Sequence, residues 1–238
     1  MENKKDSSTS QVSLASTPST ARTASTRVLK PQNRWDTLRF YQKADALYQL
    51  TFAFTKRFLT RGDRTVDQMV QAARSGKQNI VEGTADGVTS SEMELRLMNV
   101  ARASIKELKE DYSDYLATRG LSLWTAVHPR YDTMLRFCRD HNHADDYRPY
   151  FEKWSDEEMA NTDFSLCRMI DRMMTTYIGR LEEKFVTEGG IKERMTAARL
   201  GYRTDQRERL RALETENTAL RAEVARLQAI IENNTRPC

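Results

Sequence analysis

Four stretches of this chain repeat their apolar residues at three- and four-residue steps, and turn signals separate them. Leu38, Tyr41, Ala44, Leu47, Tyr48, Phe54, Phe58 and Leu59 make the first stripe, which breaks at Arg61-Gly62-Asp63. Val66, Met69, Val70, Ala73, Ile80 and Val81 make the second, with a stop expected at Gly83 ahead of Asp86-Gly87. The third opens on a capping signal, either Thr89-x-x-Glu92 or Ser91-x-x-Glu94, and carries Met93, Leu97, Val100, Leu108, Tyr112 and Leu116 to Gly120. The fourth is predicted from near Asp163, with Phe164, Leu166, Ile170, Met174, Ile178 and Phe185. A stripe at this spacing must be buried along one side of a helix. Four such helices joined by turns have one economical arrangement: an all-α, antiparallel (up-down) four-helix bundle.

The remaining segments divide around that bundle, predicted at 35–190. Residues 1–34 are rich in Ser, Thr and basic residues and lack apolar periodicity, so they are expected to be a disordered basic tail. Residues 121–162 carry Pro129, Pro149 and scattered aromatics, and are expected to form an irregular insertion before the fourth helix. Residues 191–203 are a basic suffix, and 204–233 read as a coiled coil.

The coiled-coil signal is the sharpest. Leu213, Leu220 and Leu227 recur every seven residues at position d, and Leu210, Asn217, Val224 and Ile231 take position a. Asn at a favours a parallel pair of strands, in which Arg209 faces the partner's Glu214 position and Glu216 its Arg221 position. The alternative is one helix folding back on its own bundle.

The net charge of +4 is unevenly spread. Residues 1–35 and 192–211 each carry a net +4, so the rest of the chain sums to −4. The basic character therefore concentrates in a tail and in one late helix, where Lys192, Arg194, Arg199, Arg203 and Arg207 are the leading candidates for phosphate contact. Arg57, Arg61, Arg64 and Arg74 are weaker candidates on the bundle. A basic run entering a zipper also suggests duplex readout, but Gly201 should interrupt the helix, and no Asn precedes Ala197-Ala198 to read adenine.

No sequence pattern for catalysis stands out. There is no Gly-rich phosphate loop, no nucleophile elbow and no His-Glu-x-x-His. Cys138, His141 and His143 have poor spacing for zinc and read as a half-buried thiol beside solvent-facing histidines. Glu107, Glu110, Asp111 and Asp114 read as a solvated face. The expectation is a non-enzymatic protein without cofactor or metal, cytoplasmic, with reduced cysteines and no membrane segment. Gly76 in a helix interior should admit a close neighbour, and Glu82, at the unfavourable end of the helix dipole, should meet Arg96 or Arg102.

Asn79-Ile80-Val81-Glu82-Gly83, followed by Ser91-Glu92, resembles the S23-like four-helix-bundle family, which includes the accessory variability determinant of diversity-generating retroelements. Gly120-Leu121-Ser122-Leu123-Trp124, His128-Pro129, Glu188-Gly189-Gly190-Ile191 and Arg194-Met195 are similar to its four helix bundle suffix subgroup. The resemblance covers roughly residues 36–203. It implies a non-enzymatic accessory protein that forms a ring-like homopentamer and binds a reverse transcriptase and its template RNA through basic surface. Two features depart from that pattern: the slightly acidic bundle, and a zipper that prefers two strands. The alternatives are a purely structural oligomerisation module and a zipper-type DNA-binding protein.

Overall fold

A computed structural model describes residues 34–60 and 62–234. The predicted tail, apart from Arg34, and the candidate Arg61 lie outside the described residues. Among the described residues seven α-helices follow in order: α1 Arg39–Phe58, α2 Arg64–Asp86, α3 Ser91–Thr118, α4 Tyr131–Asp140, α5 Ala144–Tyr147, α6 Asp156–Glu188 and α7 Ile191–Asn234. Among the described residues there is no strand, so the fold is all-α.

Local chemistry sets the helix boundaries. Gly62 holds a positive φ of 95° in the turn after α1, and the Asp63 carboxylate then accepts the Thr65 N–H at 2.9 Å to start α2. The cap of α3 is neither of the two expected: Ser90 Oγ accepts from the Met93 N–H at 3.1 Å. Gly83 does not end α2, which runs on to Asp86, because that glycine is needed for packing and not for a turn. The fourth bundle helix also starts earlier than its apolar stripe. Ser155 and Glu158 form a reciprocal capping box, the Ser155 N–H reaching Glu158 at 2.9 Å, so α6 takes in residues 156–162 from the expected insertion.

α1, α2, α3 and α6 pack in a closed ring, each against its two neighbours. Pairs along the helices fix their directions. Gly76 faces Ile105 while Gly83 faces Leu97, so α2 and α3 run antiparallel. Tyr115 meets Asp156 while Tyr177 meets Glu94, so α3 and α6 do likewise. Leu47, Leu50, Phe54, Met69, Ile80, Met98, Leu108 and Leu166 are wholly buried between them. Each such side chain contributes about 1.5–3 kcal/mol of burial.

The segment before α6 is pinned rather than loose. The Asn161 side chain accepts the Trp124 N–H at 2.7 Å and donates to the Ser122 carbonyl at 2.9 Å. Arg57 donates to the Phe151 carbonyl and, at 3.2 Å, to that of Trp154. Lys43, 3% exposed, donates to the carbonyls of Cys138 and His141 and so closes the C-terminus of α4, where a cation offsets the helix dipole.

Candidate oligomerisation and nucleic-acid-binding surfaces

The basic suffix and the heptad region are one continuous helix of 44 residues. No helix boundary falls at 203/204, and Gly201 does not interrupt α7: nothing stands within 4 Å of where its Cβ would be. Leaving out side-chain contacts does not stop the helix, since one glycine costs only about 1 kcal/mol. Residues 199–233 are exposed throughout, so α7 does not fold back on the bundle. Its seam is open: Leu210, Leu213, Leu220, Val224, Leu227 and Ile231 are 49–61% exposed. Asn217 lies on the same stripe. One intrahelical pair, Glu223 with Arg226 at 3.5 Å, sits beside it.

Carrying the heptad toward the N-terminus shows where the seam ends. Positions a and d hold Leu210 and Leu213, then Gln206, Arg203, Arg199, Thr196 and Lys192. The stripe that is apolar above residue 210 becomes cationic below it, on the same side of the same helix. Two copies joined along the upper part would place like charges opposite each other lower down, so their N-terminal halves must diverge. Lys192, Arg199, Arg203 and Arg207 are exposed and form no ion pair among the described residues.

Arg194 does not join them. It lies on the opposite side of α7 beside the Gly189-Gly190 junction, half-buried, with Nε and Nη2 shielded from solvent and lacking a hydrogen-bond partner. The bundle candidates separate too. Arg57 is spent on the carbonyls of 151–154 and stands 3.7 Å from Glu152, so it holds the fold together. Arg64 and Arg74 are exposed but lie about 15 Å apart along α2 and make no patch.

Of Gly76, Asn79, Glu82 and Gly83, the two glycines serve helix packing. A Cβ on Gly76 would come within 2.6 Å of Ile105 Cδ1, and one on Gly83 within 3.1 Å of Leu97 Cβ, so both let α3 lie close against α2. Asn79 donates to Ser75 in its own helix at 2.9 Å. The cation expected beside Glu82 is elsewhere: Arg102 pairs with Asp171 of α6 at 2.6 Å. Glu82 itself is exposed, where water screens the unfavourable dipole.

Two acids escape the sequence pattern. Asp163 is fully buried inside the bundle and neither carboxyl oxygen has a hydrogen-bond partner. Burial pushes it well above the ordinary carboxyl range. The nearby Tyr112 hydroxyl spends its proton on Thr51 Oγ1 at 2.9 Å. Asp111, expected on a solvated face, is half-buried; desolvation, then the charges of Glu107 and Asp114, raise it to about 6. Its neighbours Glu107, Glu110 and Asp114 are exposed, as expected.

The two thiols among the described residues, Cys138 and Cys167, are buried. Burial pushes Cys138 up to about 12, and Cys167 rises for the same cause. Cys138 is fully buried, more than expected, and His141 stacks on Phe137 at 4.1 Å instead of facing solvent. Among the described residues no cluster of His, Cys, Asp and Glu is placed to hold a metal ion, and no helix is long and apolar enough to cross a membrane. No protein-family model, curated protein or solved structure matches the chain.

Proposed function

We propose that this protein is a non-enzymatic scaffold that pairs through the C-terminal part of α7 and holds a nucleic-acid strand between the diverging basic N-terminal parts. One observation carries the reading: the a and d stripe of a single exposed helix changes from Leu, Val and Ile to Arg and Lys between residues 210 and 203. Leu210, Leu213, Leu220, Val224 and Leu227 stand about half exposed among the described residues, and Asn217 at an a position favours two parallel strands over more. The cationic part offers guanidiniums, which suit phosphate oxygens, on a surface that needs no particular base sequence. The resemblance adds the identity of the partners: template RNA as the strand, a reverse transcriptase as the protein that uses it. Arg199, Arg203 and Arg207, together with Lys192, are the contacting residues in this reading, and Arg194 is not among them.

Light scattering on the full chain should return about twice the chain mass of 27.6 kDa. Five times that mass would favour the ring that the resemblance implies, and a monomer at micromolar concentration would end the pairing model. RNA retention across a salt series tests the fork. Replacing Arg199, Arg203 and Arg207 with Ala should flatten the dependence of log affinity on log salt by about 2 for each protomer. An unchanged slope would leave α7 as an oligomerisation element alone. A strong preference for one palindromic duplex over random sequence would favour the DNA-reading alternative.

A further inference from the structure

A cleft of about 380 Å³ opens between α1, α4 and α6. That size lies within the range of small-molecule sites. Five cations line it, Arg39, Lys43, Arg139, Arg168 and Arg172, and no carboxylate does. Lys43 already has its role in closing α4. The four arginines are exposed and form no ion pair among the described residues. This sets them apart from Arg57, Arg102, Arg130 and Arg148, each of which meets an acid of its own chain.

The arginines come from three separate helices. Arg168 and Arg172 stand one turn apart on α6, a spacing at which like charges repel. Arg139 approaches from α4 and Arg39 from the first residue of α1. A concave wall of one sign raises the local potential and gathers counter-ions, most effectively those with several charges. Guanidiniums also bind phosphate oxygens in pairs, with defined geometry.

The rest of the lining is not that of a plain anion trap. Tyr131, Leu135, Met169 and Met173 give it a half-buried, largely apolar floor. Two polar groups there are poorly satisfied. The Asn142 side-chain oxygen is buried without a partner, and Ser165, 5% exposed, has only the Met134 sulfur at 4.0 Å. Buried polar atoms are nearly always hydrogen-bonded, so an idle acceptor beside an apolar floor invites a ligand that brings a donor. A small molecule with several negative charges, a flat apolar body and N–H donors meets all three conditions.

We propose that the cleft between α1, α4 and α6 binds a nucleoside polyphosphate, its phosphates on Arg39, Arg139, Arg168 and Arg172 and its base over Leu135 and Met169. This site is distinct from the fork of α7 and does not depend on it. A free nucleotide is the ligand; the same chemistry could also be presented by a nucleic-acid strand, and the experiment separates these sources.

Calorimetric titration of the full chain with ADP at physiological salt should show binding at least tenfold tighter than that of inorganic phosphate. Arg168→Glu with Arg172→Glu should weaken ADP binding at least tenfold, and Arg39→Glu, on a different helix, should weaken it independently. Lys at 168 and 172 keeps the charges but not the paired guanidinium geometry, so these versions should bind ADP more weakly than the parent chain and more tightly than the Glu versions. Replacing Arg199, Arg203 and Arg207 with Ala should leave ADP binding unchanged while impairing the fork. The proposal is overturned if ADP does not bind, if phosphate binds as tightly as ADP, or if the charge reversals have no effect. It is also overturned if an oligoribonucleotide lacking a 5′-phosphate displaces ADP from the triple-Ala chain as well as ADP itself does.

Discussion

The bundle and α7 are built from the same residue types and end in opposite conditions. In the bundle, Leu47, Leu50 and Leu108 are fully buried, and Arg57, Lys77 and Arg102 each meet an acid of their own chain. In α7, Leu213 and Leu220 are more than half exposed, and Arg199 and Arg203 form no ion pair among the described residues. The first region meets most of its interactions internally, the cleft between α1, α4 and α6 apart. The second presents the same chemistry outward, so its apolar stripe and its charges are available to something outside the chain. In the proposed reading, the associating surface is found by asking which apolar groups and charges stay exposed, and not by counting leucines or arginines.

The contrast breaks most visibly with paired truncations. Phe54→Ala should destabilise the bundle by about 3–5 kcal/mol in denaturant melts, because Phe54 is fully buried against Tyr112 and Tyr115. Leu213→Asp with Leu220→Asp should leave that melt where it is and abolish pairing by light scattering. If both changes moved the bundle melt together, α7 would be part of the same core.

Asp163 sharpens the comparison from the bundle side. Its folded-state pKa is raised, so the stability linked to it is whole below its unfolded value of about 4 and is lost as pH rises through the folded one. Asp163→Asn should remove that decline and gain about 1–3 kcal/mol near neutral pH, read from denaturant melts at several pH values. Equal pH dependence in both chains would show that Asp163 is not the titrating group.

One substitution should then give opposite signs in the two regions. Gly201→Ala meets open space and should stabilise α7 by about 1 kcal/mol, seen as increased helicity on heating. Gly76→Ala brings a methyl to 2.6 Å from Ile105 Cδ1, the end of a side chain that is 1% exposed and must turn within a filled core, so the bundle should lose about 1 kcal/mol net. The smallest effect concerns Asp111, whose pKa of about 6 lies above its unfolded value. Its contribution is whole below about pH 4 and fades as pH passes 6, so Asp111→Asn should gain about 1 kcal/mol at pH 7 once solvent screening is allowed for.

The parts legible in advance were those written in a local period. The stripe from Leu38 to Leu59 and the heptads from Leu210 to Ile231 need only neighbours three, four or seven residues away, and helices run through both, with Leu38 and Leu59 as the caps of α1. Boundaries were less legible because they hang on single caps. Ser90 caps α3 in place of Thr89 or Ser91, and Ser155 starts α6 eight residues before Asp163, through backbone geometry that no periodicity records. Roles that depend on distant partners were not legible at all. Arg57 meets residues 94 to 97 positions away, and Arg102 meets Asp171 at 69. Asp163 looks like any polar residue near a helix start until α1 and α3 close over it. The cleft arginines are scattered through three helices, so no linear pattern groups them.

The length of α7 has a geometric consequence. At 1.5 Å per residue its 44 residues reach about 66 Å, longer than any helix of the bundle. Two such rods zipped in parallel would put both bundles at one end of a shared stalk, as twin heads, with the bare shaft trailing behind. Whatever threads the crotch of that stalk would meet two identical bodies at once, and each would be gripped with the advantage of the other's hold.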